Sequence, residues 1–387
     1  MKKHQKHTKL TRPDIGFFAR NEWAIIGTPC GNIKKIAFDL IEYLSKEYKT
    51  GYVDADHKSG DTEAETGRNK NSAMAFGATM EYTDKITFHR FDTESEMDIW
   101  EYRQQFNAQD VVFVNGNHFK AKNQIVVIDP KKEASLQKKL DRLDNVVLIL
   151  LAEGQTEIYP FLSEHLKGQN IQILSIDDTI GIATFLSTKL EQTKPPVLGL
   201  VLAGGKSERM GKDKGAINYH GKPQREYVAD LLSQTCEQVF ISCRAEQLNE
   251  IESEYELLAD TFTGLGPYGA ILSAFRAYPN HAWLVIACDL PLITIETIQF
   301  LQKSRNSSKI ATAYNSPVNQ FPEPLIAIWE PRSYANLLNF LAQGYSCPRK
   351  VLINSDVALI EVADAESLTN INNPEELKTI KNKLKPM

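Results

Sequence analysis

Apolar residues occur in short continuous runs. In the longer stretches between these runs, single apolar residues recur every three or four positions. Continuous apolar runs are typical of strands buried on both faces, whereas the three-to-four spacing is typical of amphipathic helices. Because the two patterns alternate along the whole chain, the sequence predicts a parallel α/β architecture, formed twice over.

The pattern places strands and helices in both halves. In the first half the predicted strands are 23–26, 51–53, 111–114, 124–128 and 146–151, and the predicted helices are 33–46 and 131–143. In the second half a strand starts at 197 and others come at 238–243, 283–288, 310–314 and 325–329, with helices at 223–235, 269–277, 295–305 and 331–343.

The two halves meet at a weak linker, 187–196, which ends in Lys194-Pro195-Pro196. Two consecutive prolines break a helix and stiffen the chain, so we place the boundary there. We therefore expect a first domain over 16–190, a linker over 191–196 and a second domain over 197–387. Residues 1–15 are strongly basic without apolar periodicity, and we expect a disordered tail there.

Composition narrows the class of protein. The chain has 387 residues, of which 42% are hydrophobic and 24% charged, as in ordinary two-domain soluble proteins. Its net charge of −5 gives no reason to expect nucleic-acid binding, and no apolar run is long enough to span a membrane. Five cysteines without a CxxC pair indicate reduced thiols and a cytoplasmic protein.

The strongest chemical motif comes directly after the strand that starts at 197. Leu202, Ala203, Gly204 and Gly205 open a loop that continues through several basic residues to position 214. Glycines let the backbone approach a ligand and direct N–H groups at it, which is how many loops bind phosphate. Arg209 and Lys214 supply positive charge for phosphoryl chemistry.

Two carboxylates are further candidate site residues. Asp289 follows strand 283–288, where it either binds Mg²⁺ beside the phosphate loop or caps the Asp-Leu-Pro turn; the upstream glycines favour the metal. Asp260 precedes the Gly264–Gly269 loop and either accepts hydrogen bonds from a base or ribose or belongs to an ordinary connection, and spacing does not choose between these.

A helix start lies near the C-terminal end. Asn373 is the expected N-cap, with Pro374 at the first helical position. Asn370 and Asn372 are not needed for that cap, so they are candidate contacts to a metal or substrate.

The first half contains an altered phosphate-loop position. Gly27 and Gly31 follow strand 23–26, but the spacing is shorter than in a P-loop and no Lys-Ser/Thr pair comes after it. Without that lysine and hydroxyl, strong triphosphate and Mg²⁺ binding is not expected.

The ordered motifs of the second half give a resemblance to a known family. LAGGxSxRMGxDK, Gly221-Lys222-Pro223, Gly266-Pro267-Tyr268-Gly269, Cys288-Asp289-Leu290-Pro291 and NxNxPEE resemble molybdenum cofactor guanylyltransferase over about 197–383. The resemblance implies GMP transfer from GTP to the phosphate of molybdopterin, with release of pyrophosphate. It also implies a role for each of several residues: Leu202, Ala203 and Gly204 against the nucleotide, Lys214 on the phosphates, Asp260 at the guanosine end, Asp289 on Mg²⁺, and Asn370 and Asn372 near the active site.

Two positions depart from the family pattern. Ser242 stands where a family member carries Asn, which weakens a base contact. Glu323 stands near a His-Pro pair of the family's pterin side and reverses the charge there. The related cytidylyltransferases usually carry Ala-Ala-Gly at the loop, so Gly204-Gly205 favours GTP over CTP.

The first half is similar, more weakly and over about 20–150, to the molybdopterin-guanine dinucleotide adaptor protein. Asn115 replaces the acid that ends one of its strands. Because this acid and the P-loop lysine are both lost, we expect an inactive scaffold that docks partners or supports dimerisation. The alternative is weak nucleotide binding in which Lys34 or Lys35 substitutes.

Together these patterns predict two three-layer αβα domains. The first is a degenerate P-loop NTPase-like domain and the second a Rossmann-like nucleotide-diphospho-sugar transferase domain. The predicted function is guanylyl transfer with Mg²⁺, GTP and molybdopterin, and molybdoenzymes or cofactor-biosynthesis proteins are further candidate partners. The alternatives are a cytidylyl or sugar-phosphate nucleotidyltransferase and a non-catalytic nucleotide-binding regulator.

Overall fold

The computed structural model describes residues 16–55, 72–205, 213–371 and 373–384. The predicted tail over 1–15 and the candidate residues Arg209 and Asn372 lie outside these ranges. The described chain divides into two compact units between Thr193 and Lys194. A helix continues to Gln192, so the predicted linker is shorter than 187–196 or 191–196: apolar Leu186 and Leu190 are buried and hold the helix in place.

The first unit is built on a parallel sheet. Its strands are β1 (Glu22–Ile26), β2 (Thr50–Val53), β3 (Met80–Asp84), β4 (His89–Thr93), β5 (Val111–Asn115), β6 (Asn123–Ile128), β7 (Val146–Leu151) and β8 (Gln172–Ser175). Six of them form one sheet in the order β2-β5-β1-β6-β7-β8, with every pair parallel. β3 and β4 form a separate antiparallel hairpin that the sequence patterns did not predict.

The helices of the first unit correct one prediction. They are α1 (Cys30–Leu44), α2 (Ile99–Gln105), α3 (Glu133–Gln137), α4 (Pro160–His165) and α5 (Thr179–Gln192). The helix predicted over 131–143 is instead α3 flanked by two short 3₁₀ helices. Lys139 and Arg142 donate hydrogen bonds to the carbonyls of Asn117 and Gly116, and these tertiary contacts override the local helical pattern.

The second unit has a seven-stranded sheet. Its strands are β9 (Val197–Leu202), β10 (Val239–Cys243), β11 (Glu256–Ala259), β12 (Ala282–Ala287), β13 (Ala311–Asn315), β14 (Pro322–Trp329) and β15 (Ala358–Ile360), in the order β11-β10-β9-β12-β14-β13-β15. β14 runs antiparallel to both neighbours, so the prediction of a wholly parallel sheet is wrong at this strand. The short connection from β13 to β14 is too brief for the crossover that a parallel pair requires.

Helices cover both faces of this second sheet. They are α6 (Gln224–Ser233), α7 (Pro267–Ala277), α8 (Ile295–Lys303), α9 (Ser333–Ala342), α10 (Pro348–Ile353) and α11 (Pro374–Lys383). Alternate residues of β9 enter two cores: Leu200 packs with Phe275 of α7, and Val201 packs with Val228 of α6. The second unit is therefore a three-layer αβα domain, in which β9 is an interior strand beside the central strand β12.

A helix that crosses a bilayer must be both long and apolar. Across the described ranges, no helix meets both conditions.

Candidate active site

Three strand ends of the second unit meet at one edge of the sheet. In the register, Leu202 at the end of β9 lies beside Ser242 of β10 on one side and Ala287 of β12 on the other. The chain leaves β9 toward β10 on one side, while β12 lies on the other, so β9 borders a topological switch point. Ligands of open α/β sheets bind in the crevice at such a point.

The glycines after β9 allow a close approach. The N–H of Ala203 donates to the carbonyl of Ser242 at 3.0 Å, which continues the pairing one residue beyond the strand. A Cβ atom at Gly204 would lie 3.1 Å from the Asp260 Oδ2 atom and 3.4 Å from the Arg244 nitrogen. Glycine at position 204 therefore lets the loop backbone and the Asp260 carboxylate lie close together.

Asp260 lies in a partly buried environment on the β10 side. Its N–H donates to the carbonyl of Cys243 at 2.9 Å, and the Ser242 hydroxyl donates to its Oδ1 atom at 2.7 Å. Burial raises the pKa of the Asp260 carboxyl to about 6, against the opposing effects of the Ser242 hydrogen bond and the Arg244 charge. Ser242 thus orients Asp260, a contact that sequence reasoning did not identify.

Arg244 is a further site residue that the sequence patterns missed. Its Nη1 atom donates to the carbonyl of Gly204 at 2.7 Å, and its side chain also pairs with Glu246 at 2.8 Å. Arg244 is the first residue after β10, at the same edge as the glycine loop. That position could have identified it, because residues after the strands of one parallel sheet converge.

Lys214 and Asp289 form the other half of the site. The Lys214 Nζ atom lies 3.4 Å from Asp289 Oδ2, and these side chains are 20% and 22% exposed. Asp213 fixes the lysine by capping the 3₁₀ helix that begins at Lys214, and it forms an ion pair with Arg225 at 2.9 Å. The structure therefore brings two of the three predicted catalytic residues together; the third, Arg209, lies outside the described residues.

A cavity of about 290 Å³ opens beside Asp289. Asn370 lines it, and the neighbouring Ile371 donates its N–H to the Asp289 carbonyl at 3.0 Å. Glu323 and Arg349 also line it and form an ion pair at 2.7 Å. We expected the negative charge of Glu323 to reverse the charge of the pterin side. In the structure this charge is compensated by Arg349.

The chemistry of the oxygen donors fits a hard divalent cation only in part. No group of three or more His, Cys, Asp or Glu side chains placed to hold a metal occurs among the described residues. Magnesium in nucleotide sites is commonly held by one or two carboxylates together with substrate phosphates and water. The single carboxylate of Asp289 fits that arrangement, with the nucleotide supplying the remaining oxygens.

The altered loop of the first unit has a different environment. Gly27 has a φ of +97°, and a Cβ there would lie 2.3 Å from the carbonyl oxygen of Val127, so only glycine is tolerated. The Thr28 hydroxyl donates to Asp129 at 2.6 Å, and the Lys34 ammonium lies over the Phe38 ring at 5.5 Å. These contacts are compatible with either interpretation of this unit, and both stay predictions.

Comparison with known proteins identifies the class of the second unit. Residues 199–358 match the family model described as "MobA-like NTP transferase domain". This range contains the glycine loop, Lys214, Ser242, Asp260 and Asp289. The second unit therefore contains this transferase domain, which is built on the sheet described above.

The relatives narrow that class. The chain is 32% identical over 197 residues to a molybdenum cofactor guanylyltransferase of Pseudomonas putida, a match covering 48% of this chain and 97% of that protein. It therefore belongs to the molybdenum cofactor guanylyltransferase family. It is also 39% identical over 189 residues to a "Molybdenum cofactor biosynthesis bifunctional protein" of Synechocystis, covering 49% of this chain and about half of that protein (54%).

Among solved structures, the molybdopterin-guanine dinucleotide biosynthesis protein A of Archaeoglobus fulgidus is 25% identical. The similarity covers 48% of this chain and 97% of that one, with a TM-score of 0.42.

Proposed function

We propose that the second unit transfers GMP from GTP to the phosphate of molybdopterin and releases pyrophosphate. The observation that carries this proposal is the placement of Lys214 and Asp289, 3.4 Å apart, beside the glycine loop of a guanylyltransferase family member. The bond that forms joins an oxygen of the acceptor phosphate to the α-phosphorus of GTP. The bond that breaks joins that phosphorus to the β-phosphate oxygen, so that pyrophosphate leaves.

The acceptor needs no activated side-chain nucleophile, because a phosphate is already anionic at neutral pH. Catalysis then depends on alignment and on neutralisation of charge. The backbone N–H groups of the Gly204-Gly205 loop and the Lys214 ammonium contact the triphosphate, and Asp260 accepts hydrogen bonds from the guanosine end. Asp289 holds Mg²⁺, which when bound supplies charge neutralisation at the phosphates.

The two substrates occupy different parts of the crevice in this proposal. Ser242, Asp260 and the glycine loop lie on the β10 side of β9 and form the nucleotide side. The cavity that Asp289, Asn370, Glu323 and Arg349 line forms the acceptor side. Asp289 belongs to both sides, because it lines the cavity and pairs with Lys214, and the transferred GMP group must pass beside it.

The Asp289→Ala variant tests the central assignment. We expect loss of transfer, because the carboxylate that holds the metal and pairs with Lys214 is removed. Pyrophosphate release with GTP, molybdopterin and Mg²⁺ measures the rate, and thermal unfolding shows whether the fold is retained. A folded variant with a near wild-type rate would remove Asp289 from the metal site.

The alternatives make different predictions in the same assay. Labelled CTP or ATP in place of GTP, and a sugar phosphate in place of molybdopterin, test the other nucleotidyltransferase assignments. Nucleotide binding without pyrophosphate release under all these conditions would favour the non-catalytic regulator.

A further inference from the structure

The start of α6 contacts the two turns that carry Lys214 and Asp289. Gln224 and Arg225 are the first two residues of this helix, and they are 0% and 9% exposed. Long polar side chains are rarely buried to this extent unless they bond to a partner. Each of the two bonds to a different turn of the candidate site.

Arg225 holds the turn that begins at Lys214. Its Nη1 atom donates to Asp213 Oδ2 at 2.9 Å, and the other oxygen of Asp213 accepts the N–H of Gly215 at 2.9 Å. One carboxylate therefore joins α6 to the 3₁₀ helix. Because the bond is charge-assisted and the Arg225 side chain is only 11% exposed, it ties the backbone at Lys214 firmly to α6.

Gln224 holds the turn that follows Asp289. Its Nε2 atom donates to the carbonyl of Leu290 at 3.1 Å, in the interior of the unit. A second bond supports the same turn from the loop before α6, where the Nε2 atom of His220 donates to the carbonyl of Pro291 at 2.8 Å. The backbone beside Asp289 is therefore also tied to the start of α6.

The side-chain contact between Lys214 and Asp289 does not by itself fix their spacing. Lysine has a flexible four-carbon side chain, and its contact of 3.4 Å opens in the proposed reaction when the ammonium binds phosphate. The spacing of the two backbone turns persists through this change, because adjacent residues of one helix hold them. Such spacing matters, since a misplacement of about 1 Å can cost on the order of 10²-fold in rate.

Stability alone does not explain the two polar side chains. Gln224 Oε1 and Arg225 Nε are buried, and neither has a hydrogen-bond partner among the residues that the structure describes. A buried polar atom without a partner lowers stability, and an apolar side chain at the same position of a helix avoids this cost. A role in the candidate site accounts for both residues.

We propose that Gln224 and Arg225 are positioning residues. They hold the turns of Lys214 and Asp289 at a fixed spacing, so that the ammonium and the carboxylate face the same substrate phosphates. Neither residue touches a substrate, and each acts through the turn to which it bonds. The kinetic consequences rest on the proposed function, whereas the spacing of the turns is a property of the folded chain alone.

Two variants of the full chain are expected to show different kinetic signatures. Arg225→Ala releases the lysine turn, so the KM for GTP should rise and kcat should fall, each by about tenfold or more. Gln224→Met keeps the length of the side chain but releases the carboxylate turn, so the magnesium concentration for half-maximal rate should rise by about tenfold. Simple damage to the fold would instead lower the active fraction, and so kcat alone.

Matched controls come from the opposite end of the same unit. Gln302 donates its amide to the carbonyl of Thr235, beyond the other end of α6, and Arg305 forms a buried ion pair with Glu330. Gln302→Met and Arg305→Ala remove bonds of the same two kinds. They are expected to lower the thermal unfolding temperature while the KM for GTP and the magnesium dependence stay unchanged. Arg225→Lys keeps the positive charge and is expected to regain part of the lost activity.

A measurement without turnover tests the spacing directly. While the turns are held, the Lys214 ammonium lies against Asp289 with 20% of its side chain exposed, so it should react slowly with an amine-acylating reagent. We expect its labelling, followed by peptide mass spectrometry, to rise at least about threefold in Arg225→Ala and Gln224→Met. Lys309, which pairs with Asp356 elsewhere in the unit, is the unchanged internal reference.

The two measurements separate this inference from the proposed function. Unchanged labelling of Lys214 in both variants would overturn the inference, and so would a fall in kcat without the change in GTP or magnesium dependence. A wild type that transfers no GMP would overturn the proposed function instead, and the labelling would still decide whether Gln224 and Arg225 hold the two turns.

Discussion

At the scale of one residue, Asp260 shows how packing sets the chemical state of a proposed nucleotide contact. Its place before a glycine-rich loop marked it as a candidate in the sequence, but its environment could not be predicted, since that depends on Ser242 and Arg244 from another strand end. The raised pKa is a result of this packing. A carboxylate held near its titration point responds to pH within the range where the enzyme can be assayed.

Nucleotide affinity should therefore depend on pH through Asp260. Its folded pKa of about 6 lies above its ordinary value of 3.8, so the carboxyl is protonated in acid and ionised above pH 6. Because the ionised form accepts the hydrogen bonds of the base, we expect the KM for GTP to fall as pH rises through about 6. The pH profile of KM measures this step.

The Asp260→Asn variant is the control for that assignment. It keeps the shape of the side chain and removes the titration, so the step near pH 6 should vanish. A step that persists in this variant would assign the titration to another group.

We expect Arg349 to affect the KM for the acceptor and not the KM for GTP. It lines the cavity and holds Glu323 at 2.7 Å, away from the nucleotide side. Arg349→Ala removes the guanidinium from the cavity and with it the charge-assisted hydrogen bond to Glu323. We therefore expect the KM for the acceptor to rise by about tenfold or more, while the KM for GTP stays near the wild-type value.

A matched arginine is available for comparison. Arg332 bonds to the Ser308 carbonyl in the same unit, and it is not a lining residue of the cavity. Arg332→Ala is expected to leave both KM values unchanged. Equal rises for GTP and acceptor in Arg349→Ala would count against a separate acceptor side.

At the scale of elements, the sequence predicted buried strands best. The continuous apolar runs placed β1, β5 and β12 within one or two residues, because burial on both faces leaves a strong pattern. It did not predict the direction of β14, which depends on a long-range pairing, or the hairpin of β3 and β4, whose apolar residues are exposed. The strands β8, β11 and β15 were missed because each has only three or four residues, too few to show a clear pattern.

The start of α7 is an element whose stability depends on one glycine. A Cβ at Gly269 would lie 2.1 Å from the Phe262 carbonyl oxygen, so Gly269→Ala must displace backbone. We expect a loss of about 1–3 kcal/mol in the free energy of unfolding, measured by denaturant titration. Gly31→Ala in α1 is the control, since no atom lies within 4 Å of that Cβ, and it should be neutral or stabilising.

At the scale of the whole molecule, each unit has its own cores. The buried clusters of the first unit contain residues up to Leu190, and those of the second begin at Leu198. The consecutive prolines Pro195 and Pro196 predicted the approximate position of this division. The end of α5 could not be predicted, because packing of Leu186 and Leu190 decides it.

Separate cores lead to a prediction about a fragment. Residues 194–387 contain the sheet, both of its cores and every described candidate site residue, so this fragment should fold cooperatively and retain transfer. Circular dichroism and pyrophosphate release test this. A fragment that folds but has lost transfer would show that the first unit contributes to the reaction.

The reversed direction of β14 has a consequence for how specificity can change. Because β14 runs against β12, its beginning rather than its end lies at the edge where Asp289 stands, and Glu323 comes from that beginning. Under the proposed assignment of the two sides, nucleotide choice depends on loops that leave parallel strands, and acceptor choice depends on a loop that enters an antiparallel strand. We expect substitutions in one of these segments to change the choice of nucleotide or of acceptor, while recognition of the other substrate stays unchanged.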